Sequence, residues 1–102
     1  MTKKNMTAIL KEANQNKEIH WSIVENTKEK IVVTNDYLSN IHFEILLHQG
    51  EGKDIKAINP TGWQENVCYL IQGTEFYASF ENEDEGITKA LKAIVRFFYY
   101  YY

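Results

Sequence analysis

The stretch Ile41-His42-Phe43-Glu44-Ile45-Leu46-Leu47-His48 decides the fold. Ile41, Phe43, Ile45 and Leu47 alternate with His42, Glu44, Leu46 and His48. A period of two is the signature of a β-strand, whose successive side chains point to opposite faces. One face is apolar and seeks a core. The other, with two histidines and a glutamate, reads as the solvent side of an antiparallel strand.

The pattern repeats on both sides of this run. Upstream, Ile31, Val32, Val33 and Thr34 are β-branched and predict a strand over 30–34. The polar run Glu25 to Glu29 reads as a turn, and Asn35-Asp36 as a second one. Before them, Ile19, Trp21 and Ile23 alternate with His20, Ser22 and Val24, predicting a strand over 18–24. Downstream, Gly50 and Gly52 mark a turn, residues 54–58 read as a shorter strand, and Asn59-Pro60-Thr61-Gly62 reads as a loop. Residues 66–72 set Val67, Tyr69 and Ile71 against Cys68 and Leu70. Gln72-Gly73-Thr74 is a hairpin turn, and Phe76, Ala78 and Phe80 are expected on one face of a last strand.

Both ends switch to the helical period. Met6, Ile9, Leu10 and Ala13 share one face of a helix over 5–15, with Asn5 as the expected N-cap. Ile87, Ala90, Leu91, Ile94, Val95 and Phe98 form the stripe of a second helix over 86–98. Glu81, Glu83, Asp84 and Glu85 precede it, where negative charge suits the helix dipole. No connection is long enough for a helical crossover, so the strands must be antiparallel. The expected fold is α+β, with residues 1–102 forming one domain. A five- or six-stranded antiparallel sheet lies between an N-terminal and a C-terminal helix, with both helices packed on one face. Phe43, Ile45, Val67, Tyr69, Ile71, Phe76, Leu91 and Ile94 are the expected core.

Composition excludes several functions. The net charge of −3 disfavours general nucleic-acid binding, which needs a basic excess. Cys68 is the single cysteine, so neither an internal disulfide nor a cysteine-rich metal site can form. No run of 18 apolar residues offers a membrane span, and the basic N-terminus lacks the apolar region of a signal peptide. A cytoplasmic location is therefore expected, with no membrane partner. Ten lysines to one arginine, with many Ile, Asn, Glu and Tyr, suggest an AT-rich genome of a bacterium, phage or mobile element.

The chemical constellations are thin. His42 and His48 are six residues apart, about 20 Å along a strand, too far to share one metal. Cys68 sits within an alternating apolar strand and reads as a small hydrophobe. The acidic run 81–85 lacks the spaced ligands of a calcium loop. Gly50-Glu51-Gly52-Lys53 lacks the spacing of a phosphate loop and a following helix. No cofactor, metal site, catalytic residue or small-molecule substrate is expected.

Two aromatic features stand out instead. Trp63 follows a Pro-Thr-Gly turn among polar neighbours, and tryptophan is the residue most enriched at interaction hot spots. Phe97-Phe98-Tyr99-Tyr100-Tyr101-Tyr102 is a run of aromatics that one helix cannot turn wholly inward. Trp63, Tyr99, Tyr100, Tyr101 and Tyr102 are therefore the expected binding residues. They point to a non-catalytic protein-binding module that meets a protein partner or a second copy of itself. Size and composition alone suggest, by analogy, a stoichiometric inhibitor or adaptor of the anti-defence type. Single-stranded nucleic-acid binding on an open sheet face is the alternative, and a small metal-dependent enzyme comes third.

Overall fold

The computed structural model describes residues 1–15, 18–37, 41–48, 63–73 and 75–101, the side chains of 98–101 excepted. Among them the chain runs α1 (Lys3–Ala13), β1 (Trp21–Asn26), β2 (Lys30–Asn35), β3 (His42–Leu46), β4 (Val67–Gln72), β5 (Glu75–Glu81) and α2 (Asp84–Tyr101). The expected strand over 54–58 and the loop at 59–62 lie outside the described residues. The sheet is a meander, β1-β2-β3-β4-β5, in which every strand pairs antiparallel with its sequence neighbour. The α+β fold is thus the one expected, with both helices on one face.

Local chemistry explains the element ends. Thr2 caps α1 in place of Asn5. Its backbone is extended, and its hydroxyl accepts the Asn5 N–H at 3.2 Å. The cap must precede the first helical turn, and Asn5 is already within it. Asn14 closes the helix, donating its backbone N–H to Leu10 O at 3.0 Å and its side-chain amide to Ile19 O at 2.6 Å. This buried side chain fixes the path from α1 into β1. The β1–β2 hairpin turns on Thr27, whose hydroxyl accepts N–H groups from Glu29 and Lys30, each at 3.2 Å. Gly73, with φ +61°, makes the β4–β5 turn in a conformation that L side chains rarely adopt.

The helices bury one face of the sheet. Met6 and Leu10 of α1, and Ile87, Leu91, Ile94 and Val95 of α2, pack on Trp21, Ile23, Ile31, Val33, Phe43, Ile45, Cys68 and Leu70. At about 1.5–3 kcal/mol for each large apolar side chain removed from water, this layer dominates stability.

The opposite face departs from expectation. Leu46, Tyr69 and Ile71 form a second buried cluster, with Trp63 and Val67 packed against it. The face carrying His42, Glu44 and Leu46 is therefore not wholly a solvent side. His42 is exposed, but Glu44 and Leu46 are buried. The central strands are apolar on both faces, which strict alternation along β3 alone does not reveal. Tyr69 and Ile71 belong to this outer cluster, on the opposite side from Phe43 and Ile45.

The last strand requires a second correction. Leu70 pairs with Ala78 but Ile71 pairs with Phe76, so β5 holds one extra residue, Tyr77. This bulge breaks the period of two. Ala78 and Phe80 stay on the helix side, opposite Leu70 and Cys68. Phe76 turns to the outer face opposite Ile71, 37% exposed instead of buried in the core. Val67 is half-buried, while Phe43, Ile45, Tyr69, Ile71, Leu91 and Ile94 are buried as expected. Among the described residues, no helix is long and apolar enough to cross a membrane.

Candidate binding edge

β5 ends the sheet order, and among the described residues no strand pairs with its outer edge. Glu75, Phe76, Tyr77, Ser79 and Glu81 are all exposed. Its bulge gathers two series of aromatic rings from opposite faces of the sheet. On the outer face, Trp63 lies 4.8 Å from Tyr69, centre to centre, and Tyr69 lies 6.1 Å from Phe76. On the helix face, Phe43 lies 5.2 Å from Phe97, edge to face, and Phe97 lies 5.0 Å from Tyr77, again edge to face. These separations and tilts suit the ring quadrupoles. The helix-face series starts on buried Phe43, the outer series starts on half-buried Trp63 and passes through buried Tyr69, and each ends on an exposed ring at the same strand edge.

Polar contacts hold the two series. Tyr69 Oη accepts the Gln64 N–H at 2.9 Å, which ties the segment carrying Trp63 to β4. Tyr77 Oη donates to Gln72 Oε1 at 3.1 Å, anchoring the bulge residue across the β4–β5 hairpin. The edge is acidic at both ends. Glu75 stands at one, and Glu81, Glu83, Asp84 and Glu85 crowd the other. A hydrogen bond from the protonated Glu83 carboxyl to the Glu81 carboxylate, with the Glu81 charge, holds the Glu83 carboxyl above its usual value. Lys89 lies 3.9 Å from Glu85.

The remaining expected chemistry is dispersed. Cys68 is buried, and desolvation pushes its thiol up to about 11, far from a ready nucleophile. Its Sγ–H points to Glu81 O at 3.7 Å. His20 Nδ1 meets Asp36 Oδ2 at 3.3 Å on the exposed surface. Glu44 lies 3.2 Å from Lys30 Nζ, and that hydrogen bond and charge raise the lysine's pKa. Among the described residues, no group of three or more His, Cys, Asp or Glu side chains could hold a metal ion. A groove of about 730 Å³ runs between α1 and α2, with Ile9, Ala13 and Val95 beside Glu12, Lys92 and Arg96.

Of the expected binding residues, Trp63 is half-buried at the start of the outer ring series. Tyr99, Tyr100 and Tyr101 continue the α2 backbone; their side chains, and all of Tyr102, lie outside the described residues. Phe76 and Tyr77 were missed as surface residues. A signal exists in the sequence: two adjacent aromatics in a strand cannot both enter one core. No family model, curated protein or solved structure matches the chain.

Proposed function

We propose that the chain is a non-catalytic protein-binding module, acting in the cytoplasm as a stoichiometric inhibitor or adaptor. The observation that carries this reading is the convergence of two aromatic series on one strand edge, where Phe76 and Tyr77 are 37% and 38% exposed. Large rings held by buried neighbours lose little freedom on binding, which is why aromatics dominate interface energetics. Trp63 supports the edge from the outer face through Tyr69. Tyr99, Tyr100 and Tyr101 continue the backbone of the helix whose Phe97 supports it from the other, and with Tyr102 they are kept as proposed binding residues for the test. The nucleic-acid reading is weaker, because Tyr69 is only 1% exposed and so is closed to stacking bases, and glutamates flank the edge.

The test uses the purified chain as bait in an extract of the source cells. A protein captured by it is then purified and titrated against the parent chain, Trp63→Ala, Phe76→Ala/Tyr77→Ala, and a chain lacking residues 99–102. Each variant is expected to keep the parent's circular dichroism spectrum and to bind at least about tenfold more weakly, some 1.4 kcal/mol. The interface should survive moderate salt, since apolar burial is screened far less than surface charge. Folded variants that all bind like the parent would overturn the aromatic surface. A parent chain that forms no protein complex would overturn the reading as a whole.

A further inference from the structure

We propose that the outer edge of β5 accepts an extended segment of a partner protein as an added strand. That segment carries Lys or Arg at both ends and consecutive apolar residues between them. The inference rests on the binding-module reading and specifies its mode and its partner's chemistry.

Three observations carry it. The first is the edge itself. β5 is seven residues long, roughly 24 Å of strand, and its outward N–H and C=O groups pair with no described strand. Such an edge is a template for another chain. The second is the placement of Phe76 and Tyr77. They stand on opposite faces of the sheet at the same height along the edge. An added strand alternates its side chains between those faces, so consecutive apolar residues would each meet a ring. The third is charge. Glu75 at one end and Glu81, Glu83, Asp84 and Glu85 at the other frame an apolar middle. Glu83 already carries a raised carboxyl pKa from its hydrogen bond to Glu81 and from the charges of Glu81, Glu85 and Asp84. A basic group at one end of the incoming segment relieves that crowding, and one at the other end meets Glu75.

The same charges argue against a second copy as the occupant. Antiparallel self-pairing centred on Ala78 would set Glu75 directly opposite Glu81, twice over. Like charges directly opposite each other destabilise a strand pair. The Tyr77 bulge adds a further filter, since bulges interrupt the regular ladder that indiscriminate pairing needs. The edge is closed to its own kind and open to a basic, apolar strand.

The experiment selects phage-displayed random 12-residue peptides on the full chain, then titrates the synthetic winners into ¹⁵N-labelled protein. Winners should combine flanking Lys or Arg with consecutive apolar residues, and binding should slow hydrogen exchange at β5 amides. Glu75→Lys/Glu81→Lys alters only exposed side chains, so it should keep the parent spectrum. It should weaken the basic peptides about tenfold at low salt, with the difference shrinking at high salt. N-methylation of alternate peptide amides should weaken binding at least about tenfold, because it removes ladder donors without changing charge. Phe76→Ala/Tyr77→Ala supplies a charge-independent check. Strand addition is overturned if the winners are acidic, if N-methylation is without effect, or if β5 amides do not change while those of the α1–α2 groove do. An empty selection also overturns it. If a captured protein still binds the charge-reversed chain as it binds the parent, strand addition alone falls. If the parent captures nothing either, the binding-module reading falls with it.

Discussion

Gly86→Ala should unfold this protein far more readily than its position in a helix implies. Gly86 lies in the first turn of α2 and is buried against the end of β5. A Cβ built there overlaps the Glu81 carbonyl oxygen and sits 2.6 Å from the Glu81 carbonyl carbon and 2.8 Å from its nitrogen. Ordinary carbon–carbon contact begins near about 3.5 Å, so the helix would have to retreat from β5 by roughly 1 Å. The obstacle is backbone, which cannot rotate away as a side chain can. Overpacking of this kind costs about 1–3 kcal/mol and occasionally more, and a backbone clash belongs at or above the top of that range. The better helix propensity of alanine returns about 1 kcal/mol. The net loss should be at least about 2 kcal/mol, lowering Tm by roughly 8–16 °C in a domain of this size. Urea unfolding followed by circular dichroism measures it. Gly73→Ala is the contrast: nothing lies within 4 Å of its Cβ, but φ is +61°. It should lose about 1–2 kcal/mol through backbone strain alone, and Gly73→Asn should lose less. If Gly86→Ala is as stable as the parent, the tight approach of α2 to Glu81 is wrong.

Four further outcomes follow from the packing and charges. Phe43→Ala should cost about 3–5 kcal/mol and Ile94→Ala about 2–5, whereas Phe76→Ala, at a half-open edge, should cost far less; equal losses in a denaturant series would contradict the bulge. Cys68 should resist iodoacetamide at pH 8 in the native protein and react once unfolded, as mass spectrometry would show; rapid native labelling would refute its burial. Stability should decline in alkali. The folded Cys68 holds its proton to about 11 against an ordinary value of 9.0, so its contribution is complete below pH 9 and is lost as pH rises toward 11. The raised Lys30 acts in the same direction above its usual 10.5. Lys30→Met should cost about 1–3 kcal/mol, because the buried Glu44 loses a cation 3.2 Å away. Chemical denaturation at pH 7 and pH 10 checks both statements.

The architecture was legible because its signals are local. Period two in 41–48 and 66–72, the turn residues between strands, and the 3.6-residue stripe from Ile87 to Val95 each depend on near neighbours. What escaped depends on cross-strand register. A bulge adds one residue without any special residue type, so nothing in Glu75-Phe76-Tyr77-Ala78 announces that Phe76 and Ala78 face opposite ways. The second cluster escaped for a related reason. Leu46 looks like a stray on a polar face, and Tyr69 like a partner of Phe43 in one core, until β3 and β4 bring Leu46 and Tyr69 side by side on the outer face. Trp63 was legible as an unusual loop residue. That it packs at a tilt against Tyr69 and so joins the edge could be seen only in three dimensions.

The meander also sets an order of events at the ribosome. Every strand can pair as soon as its predecessor has emerged, so the sheet can form as the chain is made. Half of its cover cannot. Phe43, Cys68 and Leu70 pack against α2, whose residues 84–101 are synthesised after all five strands. At about 5–20 residues per second, the 18 residues of α2 take roughly one to four seconds to translate. Until α2 docks, the part of the apolar face built from Phe43, Cys68 and Leu70 stays uncovered, because α1 packs at the β1 side. Nascent chains of this protein should therefore be most dependent on chaperones, and most prone to coalesce, before α2 docks.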